Sequence, residues 1–270
     1  MKYIIILLFL FSCSSQNKGN QNLKLANIYY SKGTSELQKK NYTQAIINLK
    51  KANKLDINNS KILNNLGLAY LFKGLSKKAI SYFFKSIKSD KKNNDAKINL
   101  AGAYFKTGKF KEAKLIYKKI SKIIDYPHNY RTFYNLALIE KHYNRSKTYK
   151  NYLLLSIKEN SNYCPTHYEL SNYYKSTYQY KKALSESLKS SKGVCYQNPA
   201  PFVQQGVLYK IINNSKMAYN KFSHVIKKFP NSKYSTVAQT HLDNLVLEDP
   251  KLSEKLMDDN RKKLLETLSL

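Results

Sequence analysis

The chain has 270 residues, with 47 lysines and arginines against 17 aspartates and glutamates, giving a formal net charge of +30 and a sequence pI near 9.8. Its eight glycines, with neither GxxxxGK[ST] nor GxGxxG, argue against a phosphate cradle. His128, His142, His167, His224 and His241 show no HExxH or other ligand spacing, and no Ser, Cys or Asp lies in a motif that would make it a nucleophile, so neither metal, cofactor nor enzyme activity is expected.

At the start, MKYIIILLFLFSC sets eight large apolar residues, Ile4 to Phe11, behind a lysine and ahead of Ser12 and Cys13. That run is too short to span a bilayer and suits the apolar region of a secretory signal. LFSC resembles a bacterial lipobox, in which a small residue precedes the cysteine that becomes lipidated. Residues 1–12 then read as a lipoprotein signal peptide and Cys13 as the lipid attachment site; an ordinary signal peptide with a chance cysteine is the other reading. By the sorting rule of Gram-negative lipoproteins, Ser14 points to the outer membrane, with the protein lipid-anchored and facing the periplasm. Residues 13–25 are polar, hold a glycine and have little to bury, so they read as a flexible tether.

From residue 26 a unit of about 34 residues recurs. Counting from residues 26, 60, 94, 130, 164 and 199, the eighth position reads Gly33, Gly67, Ala101, Ala137, Ser171 and Gly206. The twentieth reads Ala45, Ala79, Ala113, Tyr149, Ala183 and Ala218. Two antiparallel helices approach closely only where neither carries bulk at the crossing, so small residues there are a geometric need. Large residues such as Leu49, Phe83, Tyr117, Leu153 and Phe222 at the twenty-fourth position fill the rest of the seam. Each unit is a helical hairpin burying its stripe on its neighbour. This pattern resembles the tetratricopeptide repeat family, whose proline near position 32 is met by Pro230. The resemblance implies an all-α fold: a right-handed α-solenoid of about six repeats over residues 26–232. Tyr149 and Ser187 are the departures from the pattern, in the fourth and fifth repeats.

Such solenoids offer binding. The first helices line a concave face, and outward positions two, five, nine and twelve are expected to meet a ligand. These include Tyr30 and Leu37 in the first repeat, Asn64, Leu68 and Leu71 in the second, and Ile98 and Phe105 in the third. The fourth adds Arg131, Tyr134, Leu138 and Lys141, and a more basic end follows with Tyr168, Asn172, Lys175 and Lys210. An apolar, aromatic groove of this kind suits an extended peptide or a helix with apolar anchors.

The fourth repeat begins 36 residues after the third, and the extra residues fall in DYPHNY. Pro127 is expected to end the preceding helix there and reset the twist. Asp125, Tyr126, Pro127, Arg131, Phe133, Asn135 and Leu136, behind a lipobox, resemble the pilotin lipoproteins of the type IV pilus, the PilF/PilW type. The resemblance implies a protein that binds an outer-membrane secretin, helps it multimerise and does no chemistry. A general periplasmic scaffold for cell-wall enzymes, an envelope protease or outer-membrane protein assembly shares the same features.

Residues 233–270 are expected to form C-terminal capping helices, the last beginning at Asp249-Pro250 and carrying Leu252, Leu256, Leu264, Leu265 and Leu268. Cys164 and Cys195 stand at the first and thirty-second positions of the fifth repeat, which the hairpin brings to one edge; a disulfide or two half-buried thiols both fit. The lysines are scattered and arginine is limited to Arg131, Arg145 and Arg261. Abundant Lys, Asn, Ile and Tyr is also what an AT-rich genome encodes. Export argues against a nucleic-acid partner, so the expected partners are an envelope protein and, through the lipid, the membrane.

Overall fold

The computed structural model describes residues 4–251 and 254, with side chains from residue 19 onward. Among the described residues it contains thirteen α-helices and no strand. Two bodies divide at Tyr143. The N-terminal body holds α1 (Ile4–Gln38), α2 (Tyr42–Leu55), α3 (Ser60–Phe72), α4 (Ser76–Ser89), α5 (Asn94–Lys106), α6 (Phe110–Ile120) and α7 (Asn129–His142). The C-terminal body holds α8 (Ser146–Glu159), α9 (Cys164–Ser176), α10 (Tyr180–Ser190), a 3-10 turn (Gly193–Gln197), α11 (Ala200–Ile211), α12 (Ser215–Lys228) and α13 (Lys233–Glu248).

In the N-terminal body α1 packs on α2, α3 on α4 and α5 on α6, and α2 and α4 also pack on the first helix of the following repeat. The small residues set these distances. A Cβ built on Gly33 would lie 2.6 Å from Leu49 Cγ, and one on Gly67 would enter the Phe83 ring still more deeply. In the C-terminal body Gly206 stands in the same relation to Phe222. Position eight therefore faces position twenty-four, and the glycine is the socket for the ring or branch. Leu49, Phe83 and Phe222 are fully buried as a result, each contributing about 1.5–3 kcal/mol of apolar burial.

The two departures from the pattern are compensated locally. Ser187, buried at position twenty-four, donates from Oγ to Pro201 O and Gln204 Oε1, and its own carbonyl accepts from Gln205 Nε2 at 2.9 Å. A polar network stands there in place of an apolar plug, with partners for the hydroxyl. Tyr149, at position twenty, donates its hydroxyl to Glu169 O at 2.9 Å and Glu169 Oε2 at 2.6 Å on α9. Ser171 at position eight donates to the carbonyl of Ala183 at position twenty, 2.7 Å away.

Within each hairpin the turn is built the same way. Position fifteen is left-handed in every repeat: Lys40, Gly74, Gly108, Asn144, Tyr178 and Asn213 have φ of 65°, 85°, 76°, 56°, 59° and 59°. Only glycine takes this conformation at no steric cost, asparagine tolerates it, and lysine and tyrosine are strained there.

Three differences from the sequence reading are physical. First, α1 runs without a break through residues 13–25, where a flexible tether is expected. That stretch contains no proline and continues a helix already nucleated by packing on α2, and propagation adds a hydrogen bond for each residue fixed. Second, Pro127 does not end a helix: α6 stops at Ile120, seven residues earlier, and Pro127 lies just ahead of α7. Third, α13 alone of the C-terminal segment is described in full. It buries Ala238 and Leu245 against α12 and also packs on α11. A new helical turn opens at Pro250, but the leucines from Leu252 onward lie outside the described residues, as does the side chain of Cys13.

Candidate protein-binding face

The first helices of the N-terminal body are tied to one another by side-chain amides. Asn65 Nδ2 of α3 donates to Thr34 Oγ1 of α1 at 2.9 Å, and Asn99 Nδ2 of α5 donates to Asn64 Oδ1 of α3 at 2.9 Å. Lys106 Nζ at the end of α5 reaches Leu71 O at 3.1 Å. These bonds run along a face that carries a cleft of about 620 Å³. Tyr30, Lys61, Asn64 and Asn65 form one wall, and the connection from Asp90 to Asp95 and the Tyr126–Pro127–His128 turn form the rest.

The extra residues of the fourth repeat thus belong to the rim of this cleft. Tyr126 folds back on the third repeat and donates its hydroxyl to Asp95 Oδ1 at 2.5 Å. Burial, then the hydrogen bond and charge of Asp95, hold this phenol well above the ordinary tyrosine range, although the Arg131 charge acts the other way. It is therefore a neutral donor at all ordinary pH. Asn129 Nδ2 donates to Ile123 O at 2.8 Å and closes the turn from the other side. His128 packs edge-on against both Tyr126 and Tyr130, and its Nδ1 is buried without a hydrogen-bond partner. A buried ring nitrogen left in that state is one that a bound group can satisfy.

Of the residues expected to face a ligand, Tyr30 and Asn64 meet in the cleft. Tyr30, Leu37 and Leu68 are half-buried against the core of the first two hairpins. Asn64, Leu71 and Ile98 are buried, at 8%, 8% and 3% exposure, so little of them is offered to a partner. The cause is crowding: α3 is flanked by α1, α2, α4 and α5, which leaves only a narrow strip of its circumference open. Phe105 is half-buried and lies edge-on to Phe110 at 5.1 Å, which in turn stacks on His142 at 3.9 Å. Arg131, Tyr134 and Leu138 are half-buried on α7 and Lys141 is exposed. The face is thus more polar than its sequence positions suggest, built from amides, two tyrosines and a histidine instead of a run of apolar anchors.

In the C-terminal body the expected basic end is partly occupied. Lys210 Nζ pairs with Glu248 Oε2 of α13 at 2.7 Å, and Asn172 Oδ1 accepts from Gln204 Nε2 at 2.6 Å. Burial, with Tyr234 of α13 next in effect, raises the Tyr168 hydroxyl. Lys175 stays exposed. Cys164 and Cys195 are joined by a disulfide with Cα atoms 6.3 Å apart, linking the start of α9 to the 3-10 turn after α10. Beside it, His167 places Nε2 2.8 Å from Ser161 O and Nδ1 2.5 Å from Glu186 Oε2.

The sequence reading missed Asn65, Asp95 and His128. Asparagine at position six of three successive repeats, Asn65, Asn99 and Asn135, is a visible signal for the first of these. Nothing in spacing announces that the turn before α7 folds back over α5.

Stacked helical hairpins of this period, tied along their first helices and presenting a cleft there, define a repeat scaffold of the protein-interaction class. Residues 26–59, 60–93 and 95–124 match the tetratricopeptide repeat model. Those residues carry tetratricopeptide repeats, and the fold of the chain is all-α and solenoid-like. The chain is similar to the structure of Pseudomonas aeruginosa pilF, with a TM-score of 0.67 and 20% identity over 85% of this chain and 100% of that one. It is similar to PilW, described as a widely conserved type IV pilus biogenesis factor, with a TM-score of 0.65 and 18% identity over 78% and 97%. It also resembles the Cut9–Hcn1 hetero-tetramer of the APC/C, with a TM-score of 0.67 and 14% identity over 84% and 45%. No curated protein matches this chain in sequence. At these identities the likeness is one of fold.

Proposed function

We propose that this protein is a lipid-anchored periplasmic scaffold of the outer membrane that binds a secretin subunit through the first-helix face of its N-terminal body, promoting secretin assembly for type IV pilus biogenesis. The observation that carries the reading is the cleft, rimmed by the two-residue insertion of the fourth repeat, with Tyr30, Asn65 and the orphaned His128 ring nitrogen as recognition groups. Its size supports the pilus-type reading: the chain aligns with all or nearly all of pilF and PilW but with 45% of the Cut9–Hcn1 chain. The apolar run ahead of Cys13 supports the anchor. No described helix is long and apolar enough to cross a membrane.

Mechanistically, an anchored scaffold turns secretin capture into a local event at the bilayer and raises the effective concentration of subunits there. The decisive experiment is the fraction of secretin that runs as a heat- and detergent-resistant multimer in cells with and without this gene. Loss of the multimer on deletion, reproduced by Tyr30→Ala with His128→Ala, is the expected result. An unchanged multimer overturns the secretin assignment and leaves the general envelope scaffold, for cell-wall enzymes, a protease or outer-membrane protein assembly.

A further inference from the structure

The second helices carry a feature that the binding cleft does not use. In α2, α4 and α6 the inward position twenty is a fully buried alanine, Ala45, Ala79 and Ala113. At about 100° per residue, positions eighteen, twenty-two, twenty-five and twenty-nine all fall within roughly 40° of the opposite side. All twelve residues at these positions in the three repeats are exposed. Position twenty-nine is Lys54 on α2 and Lys88 on α4, while Lys122 falls in the turn after α6, and position eighteen is lysine in the second and third repeats, Lys77 and Lys111. Between them stand large apolar residues, Ile47 at 43%, Phe84 at 50% and Leu115 at 59% exposure. No carboxylate occupies any of the twelve positions, and Glu112 is the one acidic residue in these three helices.

The charge is therefore not evenly spread. The first-helix face in the same body balances Asp90 and Asp95 with Lys61 and Lys92 at its cleft, while the outward side of the second helices is lysine with apolar centres and no carboxylate. A single exposed apolar residue is ordinary on a solvated surface, but these three recur on the same side of successive second helices among lysines. A polyanion in water, such as nucleic acid, offers phosphates for the lysines but no place for aliphatic side chains. A bilayer interface offers both, anionic headgroups over an acyl boundary.

We propose that the outward side of α2, α4 and α6 docks on an anionic phospholipid bilayer, with lysine ammonium groups on headgroup phosphates and Ile47, Phe84 and Leu115 entering the interface. The docking is independent of the partner that the cleft binds. In an anchored protein it fixes which way the cleft faces.

The test uses the full chain carrying Cys13→Ser, so that no acyl chain contributes and the N-terminal apolar run is common to all variants. Partition is measured by co-sedimentation with vesicles of phosphatidylcholine alone and of phosphatidylcholine with phosphatidylglycerol. Binding is expected to need phosphatidylglycerol and to fall with added salt. Lys54→Gln, Lys88→Gln and Lys111→Gln together should weaken it on the order of a hundredfold, about fivefold for each lysine. Ile47→Ser, Phe84→Ser and Leu115→Ser together should weaken it at unchanged charge. Every one of these side chains is exposed, and an unchanged helical dichroism signal checks the fold. Partition unaffected by either triple variant overturns the proposal. So does a lysine effect without an apolar effect, accompanied by equal affinity for single-stranded DNA, which would make the face a polyanion site.

Discussion

At the scale of single residues, the fold depends on side chains that are absent as much as on those present. Gly67 leaves the space that the Phe83 ring fills, and the ring has no room to retreat because it is itself fully buried. Gly67→Ala is expected to destabilise by about 1–3 kcal/mol through overpacking, measured as a lower urea midpoint with an unchanged slope. His241 illustrates a titrating counterpart. Its ring stacks on Phe222 at 5.2 Å, and burial, followed by the charges of Lys210 and Lys175, holds its pKa below the ordinary 6.5. A histidine depressed in the folded state supplies stability above its unfolded pKa and loses it as pH falls through the folded value. Thermal stability should therefore decline as pH drops below 6.5, and His241→Phe, which keeps the stack and removes the proton, should flatten that decline. A profile unchanged by the substitution would mean that the ring is solvated.

Elements are joined by devices that differ in how easily sequence discloses them. The tight turns place position fifteen in the left-handed region throughout, and Tyr178, with φ 59° and 80% exposure, is the residue least suited to it. Tyr178→Gly should stabilise by about 1 kcal/mol by relieving that strain, seen as a rise in Tm. The disulfide from Cys164 to Cys195 closes a loop of 31 residues' separation. On the chain-entropy model it contributes about 3–4 kcal/mol, so Cys195→Ser should lower Tm to the value the parent shows in reductant. Sequence discloses the hairpins because Gly33, Gly67 and the alanines must recur wherever helices cross. It discloses the binding face less well. Asn64, Leu71 and Ile98 occupy nominally outward positions, yet an inner first helix with four neighbours buries most of its surface. The rim at Tyr126 depends on a turn folding back to Asp95, a long-range bond that no periodicity encodes. Pro127 was legible as an irregularity but not as part of a cleft wall, because the length of the connection from Ile120 to Asn129 is settled by where α6 stops.

For the molecule as a whole, charge and chain direction matter together. The lysine side of the second helices and the amide-lined cleft of the first belong to one body, so a surface that holds one determines the presentation of the other. The continuous helix α1 adds a constraint of its own. Residues 19–25 are all exposed, yet they remain helical up to the first buried residue, Ala26. With Cys13 as the proposed attachment point, the link to the repeats is a rod of about 1.5 Å per residue rather than a slack cord. Its length and its rotation then cannot be changed separately. Two residues inserted after Asn22 add only about 3 Å but turn the repeats by roughly 200° about the rod, whereas four return them to within about 40° of the start. Secretin multimer formation should therefore fail with two added residues and recover with four. A cord would respond only to total length, and a rod responds to phase: this protein would tolerate the larger insertion better than the smaller one.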